Sequence, residues 1–213
     1  MTRKYDVSGD TQFEPGSRRL VLKNLMGIKT KRAMDEVENV ALKQAEDYLF
    51  GLYGAGHRFT DNDICDMHKI WLGRIYPWAG GYRDVDLTKG IRFAHAKHIS
   101  KLMRAFSDET LLRYTPCNFK SKQEIVDALA VTHVEFVLIH PFREGNGRIA
   151  RVLTTLMALQ AGLPILNFKP IELGRGKQQY FEAIRAGFDR KYDAMRKVID
   201  KILKLSLANR AEK

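Results

Sequence analysis

The amino-acid sequence predicts a mainly α-helical fold with one small β-hairpin. Three observations predict it. Apolar residues recur at three- and four-residue steps over most of the chain. Two strongly apolar segments, around residues 121–140 and 149–162, flank a short joint. One stretch alone, near residues 82–93, carries the two-residue rhythm of short strands around a turn. At 213 residues the chain fits one domain and can bury a core without disulfides or metals.

The elements follow in order. Residues 1–19 are irregular, because Ser8-Gly9-Asp10 and Pro15-Gly16 are turn signals. From Thr30 the pattern is helical, with Met34, Val37, Ala41, Ala45, Tyr48 and Leu49 on one face. GLYGAGHRFTDND breaks it. Thr60 or Asp61 then caps a helix carrying Ile64, Met67, His68, Trp71 and Leu72. Pro77 and Gly80-Gly81 forbid its continuation. Tyr82, Val85 and Leu87, then Ile91 and Phe93, flank Thr88-Lys89-Gly90 as a short hairpin. A helix spans about 98–114 and ends at Pro116 and Asn118. Ser121, with Glu124 three residues on, opens a capping box. The helix it starts is apolar on two adjoining faces, led by Leu129 and Phe136 on one and Ala130 and Val137 on the other. Such a helix is the buried, central one. IARVLTTLMALQAG is a second apolar helix, stopped by Gly162-Leu163-Pro164. A final helical region covers about 177–206.

Composition narrows the function classes. No apolar run approaches the roughly 20 residues of a membrane span, and the N-terminal stretch has no apolar core or cleavage site of a secretory signal. No membrane is expected as partner. Cys65 and Cys117 lie far apart with no CxxC and read as reduced thiols in a cytoplasmic protein; a secreted effector would look the same. The net charge of +11 attracts polyanions without specificity. Much of it lies on the last helical stretch, where Asp189, Asp193 and Asp200 interrupt the basic residues as on a solvated face. No aromatic and basic residues are arranged as a nucleic-acid motif, so nucleic acid is not the expected partner.

The joint between the two apolar helices reads HPFREGNGRIAR, residues 140–151. Gly145, Asn146 and Gly147 can adopt backbone angles closed to most residues and turn successive N–H groups inward. A helix begins near Gly147 or Arg148, so its unpaired N–H groups and positive dipole end favour an anion. Arg148 and Arg151 project from one face, and guanidinium forks match phosphate oxygens. Glu144 among the arginines suits a magnesium ion, which takes one or two carboxylates plus phosphate oxygens. His140 titrates near neutrality and can accept a proton from a hydroxyl. Each residue alone has a structural alternative: His140 capping a helix, Glu144 pairing with Arg143 or Arg148, Gly145 ending one helix, Asn146 starting the next. Together they describe a phosphoryl- or nucleotidyl-transfer site.

The stretch resembles the signature of the Fic family, the Fic/Doc-type nucleotide-transferring enzymes. That pattern is H-x-F-x-(D/E)-G-N-G-R-x-x-R. His140, Phe142, Glu144, Gly145, Asn146, Gly147, Arg148 and Arg151 fill every fixed position. WLGRIYPWAGGYRDVDLTKGIRFA resembles the segment leading into the family's flap hairpin, and KQQYFEAIRAGFDRKYDAM the helix after the core. About residues 20 to 200 are covered. The resemblance implies a Fic-type helical core with a β-hairpin flap. The expected division is an arm over 1–19, one catalytic domain over 20–205 and a tail over 206–213. It implies a protein adenylyltransferase, with ATP as donor and magnesium as cofactor, moving AMP to a Tyr, Thr or Ser hydroxyl of a target protein. His140 would be the general base and Glu144 the magnesium ligand. Gly145, Asn146 and Gly147 would bind the α- and β-phosphates, Arg148 the β-phosphate and Arg151 the γ-phosphate. Phe142 would anchor the loop. Thr88, Lys89, Gly90, Ile91 and Arg92 would dock a target segment as an added strand.

Many members of the family carry an inhibitory helix of pattern (S/T)-x-x-x-E-(G/N), whose Glu pairs with the last signature arginine. Glu38-Asn39 matches its second half, but Met34 stands where Ser or Thr should be. After Ser206, Arg210 stands where the Glu should be. The favoured expectation is a chain without its own inhibitory helix, leaving room for a small separate inhibitory protein, as in members that act as toxins. A Glu38–Arg151 pair is the minority alternative. Other residues carry less. His133 reads as core or support, and His95 and His98 lack a carboxylate or Cys partner at metal spacing. Trp71 and Trp78 read as core, and Gly54-Ala55-Gly56 is not a P-loop. Rival functions are transfer of phosphate or another nucleotide on the same fold, and a basic nucleic-acid-binding module. The Doc branch, which phosphorylates, departs from the Gly-Asn-Gly-Arg run that this chain keeps.

Overall fold

The computed structural model describes residues 12–88 and 93–211. Helices dominate them. Thr30 caps α1 (Lys31–Leu52) by accepting the Ala33 N–H. Its buried side is Met34, Glu38, Ala45 and Leu49, while Tyr48, expected on that face, is exposed. Thr60 and Asp63 form a reciprocal capping box at the start of α2 (Asp61–Leu72). The buried residues of α2 are Asp61, Ile64, Met67, His68, Trp71 and Leu72, and α2 packs on α1.

The helix expected over 98–114 is composite. A 3-10 turn at Ala96–His98 leads into α3 (Ile99–Ala105), a π-helical stretch at Phe106–Leu111, and a last turn, α4 (Leu112–Tyr114). The buried residues are Ile99, Met103, Phe106, Leu111 and Tyr114. The step from Phe106 to Leu111 is five residues, too long for one α-helical turn. The wide π turn returns Leu111 to the buried side.

Ser121 and Glu124 make the second capping box, and α5 (Lys122–Ile139) is buried around most of its girth, as a central helix must be. It packs against α6 (Asn146–Gln160) and against the last helix of the chain. The single helical region expected over 177–206 is two helices, α7 (Gly174–Ala186) and α8 (Asp193–Ala211). A Cβ on Gly187 would lie 2.2 Å from the Val134 side chain on α5, so the backbone itself touches the core there. Arg190 then turns the chain with a left-handed φ of 56°. Residues 206–211 of the segment expected as a tail are the end of α8, and Ser206 is buried, accepting the Asn167 N–H. Arg196 on α8 pairs with Asp127 on α5. Among the described residues no helix is long and apolar enough to cross a membrane.

The expected hairpin is partly described. Phe93 N–H donates to the Leu87 carbonyl at 3.3 Å, joining its two arms, and Leu87, Phe93 and Val85 form a small apolar cluster of their own. Lys89, Gly90, Ile91 and Arg92 lie outside the described residues.

Candidate active site

Helix α5 ends at His140 because Pro141 has no N–H to continue it. His140 takes the left-handed conformation, φ 54° and ψ 59°, rare for a residue with a Cβ and typical of constrained sites. Its ring stacks on Phe93 at 3.7 Å and 12°. Nδ1 lies 3.1 Å from the Val137 carbonyl, an acceptor, so Nδ1 carries the proton. The ring thus caps α5, and the same bond makes Nε2 the nitrogen with the basic lone pair.

The main chain around His140 is clamped by Arg83, which is 4% exposed. Its Nε donates to the His140 carbonyl at 2.7 Å and Nη1 to the Val85 carbonyl at 2.6 Å. Nη2 donates to the Ala94 carbonyl, and the Arg83 N–H to the Pro141 carbonyl. One guanidinium therefore joins both arms of the hairpin to the end of α5. Sequence reasoning missed Arg83; an arginine two residues after Gly81 carries no local sign of burial.

The loop folds on itself through Asn146. Its Oδ1 accepts the Phe142 N–H at 2.8 Å and its Nδ2 donates to the Phe142 carbonyl at 2.7 Å. The Asn146 side chain thus staples the loop, and its backbone N–H is the part left at the helix start. Phe142 is fully buried and stacks on His68 at 3.9 Å and 9°. Gly80 N–H donates to His68 Nδ1 at 2.8 Å, so His68 Nε2 carries the proton and donates to the Glu144 carbonyl at 3.1 Å. Burial pushes the His68 pKa down to about 4, so the ring is neutral at physiological pH.

Gly145 is the N-cap of α6, with φ 84°. A Cβ there would meet the Trp71 ring at 2.5 Å, so both conformation and contact demand glycine. Arg148 and Ile149 N–H groups both donate to the Gly145 carbonyl. The N–H groups of Asn146 and Gly147 stand ahead of them at the positive end of α6. A Cβ on Gly147 would have nothing within 4 Å. Packing therefore does not demand that second glycine. The Glu144 carboxylate is buried and accepts the Gly145 N–H at 2.8 Å.

The two arginines of α6 differ. Arg148 lies 4.4 Å over the Trp71 ring and pairs with Glu38 at 2.6 Å and, more loosely, Glu144 at 3.4 Å. Burial works against its charge, but the two carboxylates more than offset that and raise its pKa. Arg151 is at a rim, with Glu172 at 3.6 Å and the Phe168 ring at 5.9 Å. The Glu38–Arg151 alternative is thereby corrected: the partner of Glu38 is Arg148. Both arginines line a groove of about 980 Å³ bounded by α1 residues Asn39 and Leu42 and by Phe168.

His133 is buried, between Thr154 Oγ1 at 2.9 Å and Tyr180 OH at 3.0 Å, and burial pushes its pKa down to about 3. His95 pairs with the acid Asp86 at 2.6 Å. Among the described residues no group of three or more His, Cys, Asp or Glu could hold a metal. Trp71, Glu38 and Phe93 reach the site by tertiary packing, which a sequence pattern does not show.

Comparison with known proteins bears on this geometry. The model of the Fic/DOC family matches residues 58–158. "Protein adenylyltransferase VbhT" of Bartonella schoenbuchensis is 30% identical over 164 residues, 76% of this chain and 34% of that protein. "Probable protein adenylyltransferase Fic" of Salmonella typhimurium is 30% identical over 186 residues, 84% of this chain and 86% of that protein. "Protein adenylyltransferase Fic" of Nematostella vectensis is 31% identical over 71% of this chain. The chain spans only 34% and 35% of the lengths of the Bartonella and Nematostella proteins. Among solved structures, the BepC effector protein of Bartonella tribocorum, with bound AMPPNP, superposes with a TM-score of 0.71 at 21% identity, over 90% of this chain and 95% of that one. That likeness is one of fold. By sequence and fold together, the chain belongs to the Fic/DOC family.

Proposed function

We propose that this site transfers AMP from ATP to a hydroxyl of a target protein. The observation that carries the reading is the joint of α5 and α6. It holds a histidine with its Nδ1 proton fixed on the Val137 carbonyl beside a glycine-headed helix start and two arginines. The sequence relatives named as protein adenylyltransferases support the same reaction.

In this reading His140 Nε2 takes the proton of the target hydroxyl as its oxygen attacks the α-phosphorus. The bond from the α-phosphorus to the bridging oxygen breaks, and pyrophosphate leaves with the electron pair. The N–H groups of Asn146 and Gly147 meet the α- and β-phosphates. Arg148 holds the β-phosphate and Arg151 the γ-phosphate, so both stabilise the leaving group. The bare position at Gly147 supports this: a ligand close to that backbone would need the glycine that packing does not.

The donor set suits magnesium. Glu144 supplies one carboxylate, oriented by the Gly145 N–H, and an ion that fills its shell with phosphate oxygens and water needs no more from the protein. When bound, the ion neutralises charge on the phosphates. The flap residues from Thr88 to Arg92 would add a target strand beside Phe93, which touches the His140 ring. The commitment of Glu38 to Arg148 favours inhibition, where it occurs, by a separate small protein, as for a toxin-like enzyme acting in a cytoplasm.

The test is incubation with α-³²P-ATP and magnesium, beside a His140→Ala variant and a crude lysate. Label on the protein or on a lysate band, absent with the variant, is the expected result. Label only from γ-³²P-ATP would replace AMP transfer by phosphate transfer.

A further inference from the structure

Glu38 is an acid in the buried face of α1, 4% exposed. A buried carboxylate is tolerated only when both oxygens are satisfied. Oε2 faces Arg148 Nη2 at 2.6 Å, and Oε1 accepts the Tyr76 hydroxyl at 2.7 Å. Its main chain is fixed as well, because Trp71 Nε1 donates to the Glu38 carbonyl at 2.9 Å. The same Trp71 ring supports the Arg148 guanidinium from below and blocks a Cβ at Gly145. Glu38, Tyr76 and Trp71 therefore form one cage connecting α1, α2 and the start of α6.

The geometry points to Glu38 as a positioning residue for the phosphate arginine, rather than an inhibitory one. This rests on the proposed role of Arg148 at the β-phosphate. Both carboxylates engage Arg148 through Nη2. The guanidinium is thereby held through Nη2 by the two acids, with the Trp71 ring beneath it. A displaceable inhibitory acid would have to leave its partner when nucleotide binds. Glu38 is tied at its other oxygen and at its backbone, and leaving would abandon the Tyr76 hydroxyl in a buried site. Fixing a long, flexible side chain before the ligand arrives removes the entropy of ordering it from the binding step. Tyr76 supports the acid through the oxygen that does not face Arg148.

The two roles predict opposite signs. Calorimetric binding of ADP and of AMP, each with magnesium, is measured for the full chain, Glu38→Gln and Tyr76→Phe. AMP has no β-phosphate, so a positioning role weakens ADP binding and spares AMP. Glu38→Gln is expected to weaken ADP about ten-fold or more, from loss of one charge-assisted contact, with AMP unchanged. Tyr76→Phe, which keeps the acid and its volume, should show the same pattern more weakly. Equal weakening of ADP and AMP would mean a merely structural acid. Tighter ADP binding, with more α-³²P label, would mean an inhibitory one. Either overturns the inference. Absence of α-³²P transfer by the unaltered protein would sink AMP transfer alone, because the ADP–AMP contrast is read without turnover.

Discussion

The joint between α5 and α6 has two unlike faces. On the buried face, Phe142, Gly145, Asn146 and Arg148 are each held by named contacts to His68, Trp71, Glu38 or the loop itself. On the open face, Gly147 has nothing near its missing Cβ, and Arg151 meets Glu172 only at 3.6 Å. The difference separates two reasons for the same run of residues. One half is held by contacts of the fold, and the other is left open by them. Gly145 and Gly147 show it most plainly, two residues apart with opposite surroundings.

The largest expected effect sharpens the contrast at its chemical end. His140→Ala should lower the rate of label transfer by about 10²–10⁴-fold, as loss of a general base does, while ATP binding measured by calorimetry is kept. Loss of binding as well would make His140 part of the clamped face rather than of the chemistry.

Next comes Gly145→Ala. It forces a left-handed φ on alanine and a Cβ into the Trp71 ring, and should destabilise by ~3 kcal/mol or more in urea unfolding. A change under ~1 kcal/mol would mean the buried face is looser than its contacts imply.

Two buried histidines give the clamped region a pH signature. The folded values, about 4 for His68 and about 3 for His133, lie below the ordinary 6.5. Between these limits the unfolded chain binds more protons. Their contribution is therefore full above about pH 6.5 and is lost as pH falls toward 4 and then 3. The urea midpoint should be lower at pH 5 than at pH 7, and the dependence weaker in His133→Gln. A variant as pH-dependent as the parent would remove His133 from this account.

The smallest stability effect belongs to the open face. Gly147→Ala in the first turn of α6 should change stability by less than ~1 kcal/mol, toward greater stability, yet weaken nucleotide binding about ten-fold. A destabilised variant with normal binding would collapse the distinction between the two faces.

The sequence by itself determined what is local. Thr30, Thr60 and Ser121 announce their helices because a cap acts within three residues of itself, and the apolar runs of α5 and α6 mark the core pair through their periodicity. The residues from His140 to Arg151 stand in one signature, so the candidate site was legible as a run. Its geometry was not. Tertiary structure decided that Asn146 faces Phe142 and that Glu38, 110 residues before Arg148, is its partner. It also decided which turn returns Leu111 to the buried side and that Gly187 lies against Val134, because both depend on how distant segments pack. A pattern of spacing records which face of a helix is buried. Which group that face meets, and through which atom, is fixed only when distant segments pack.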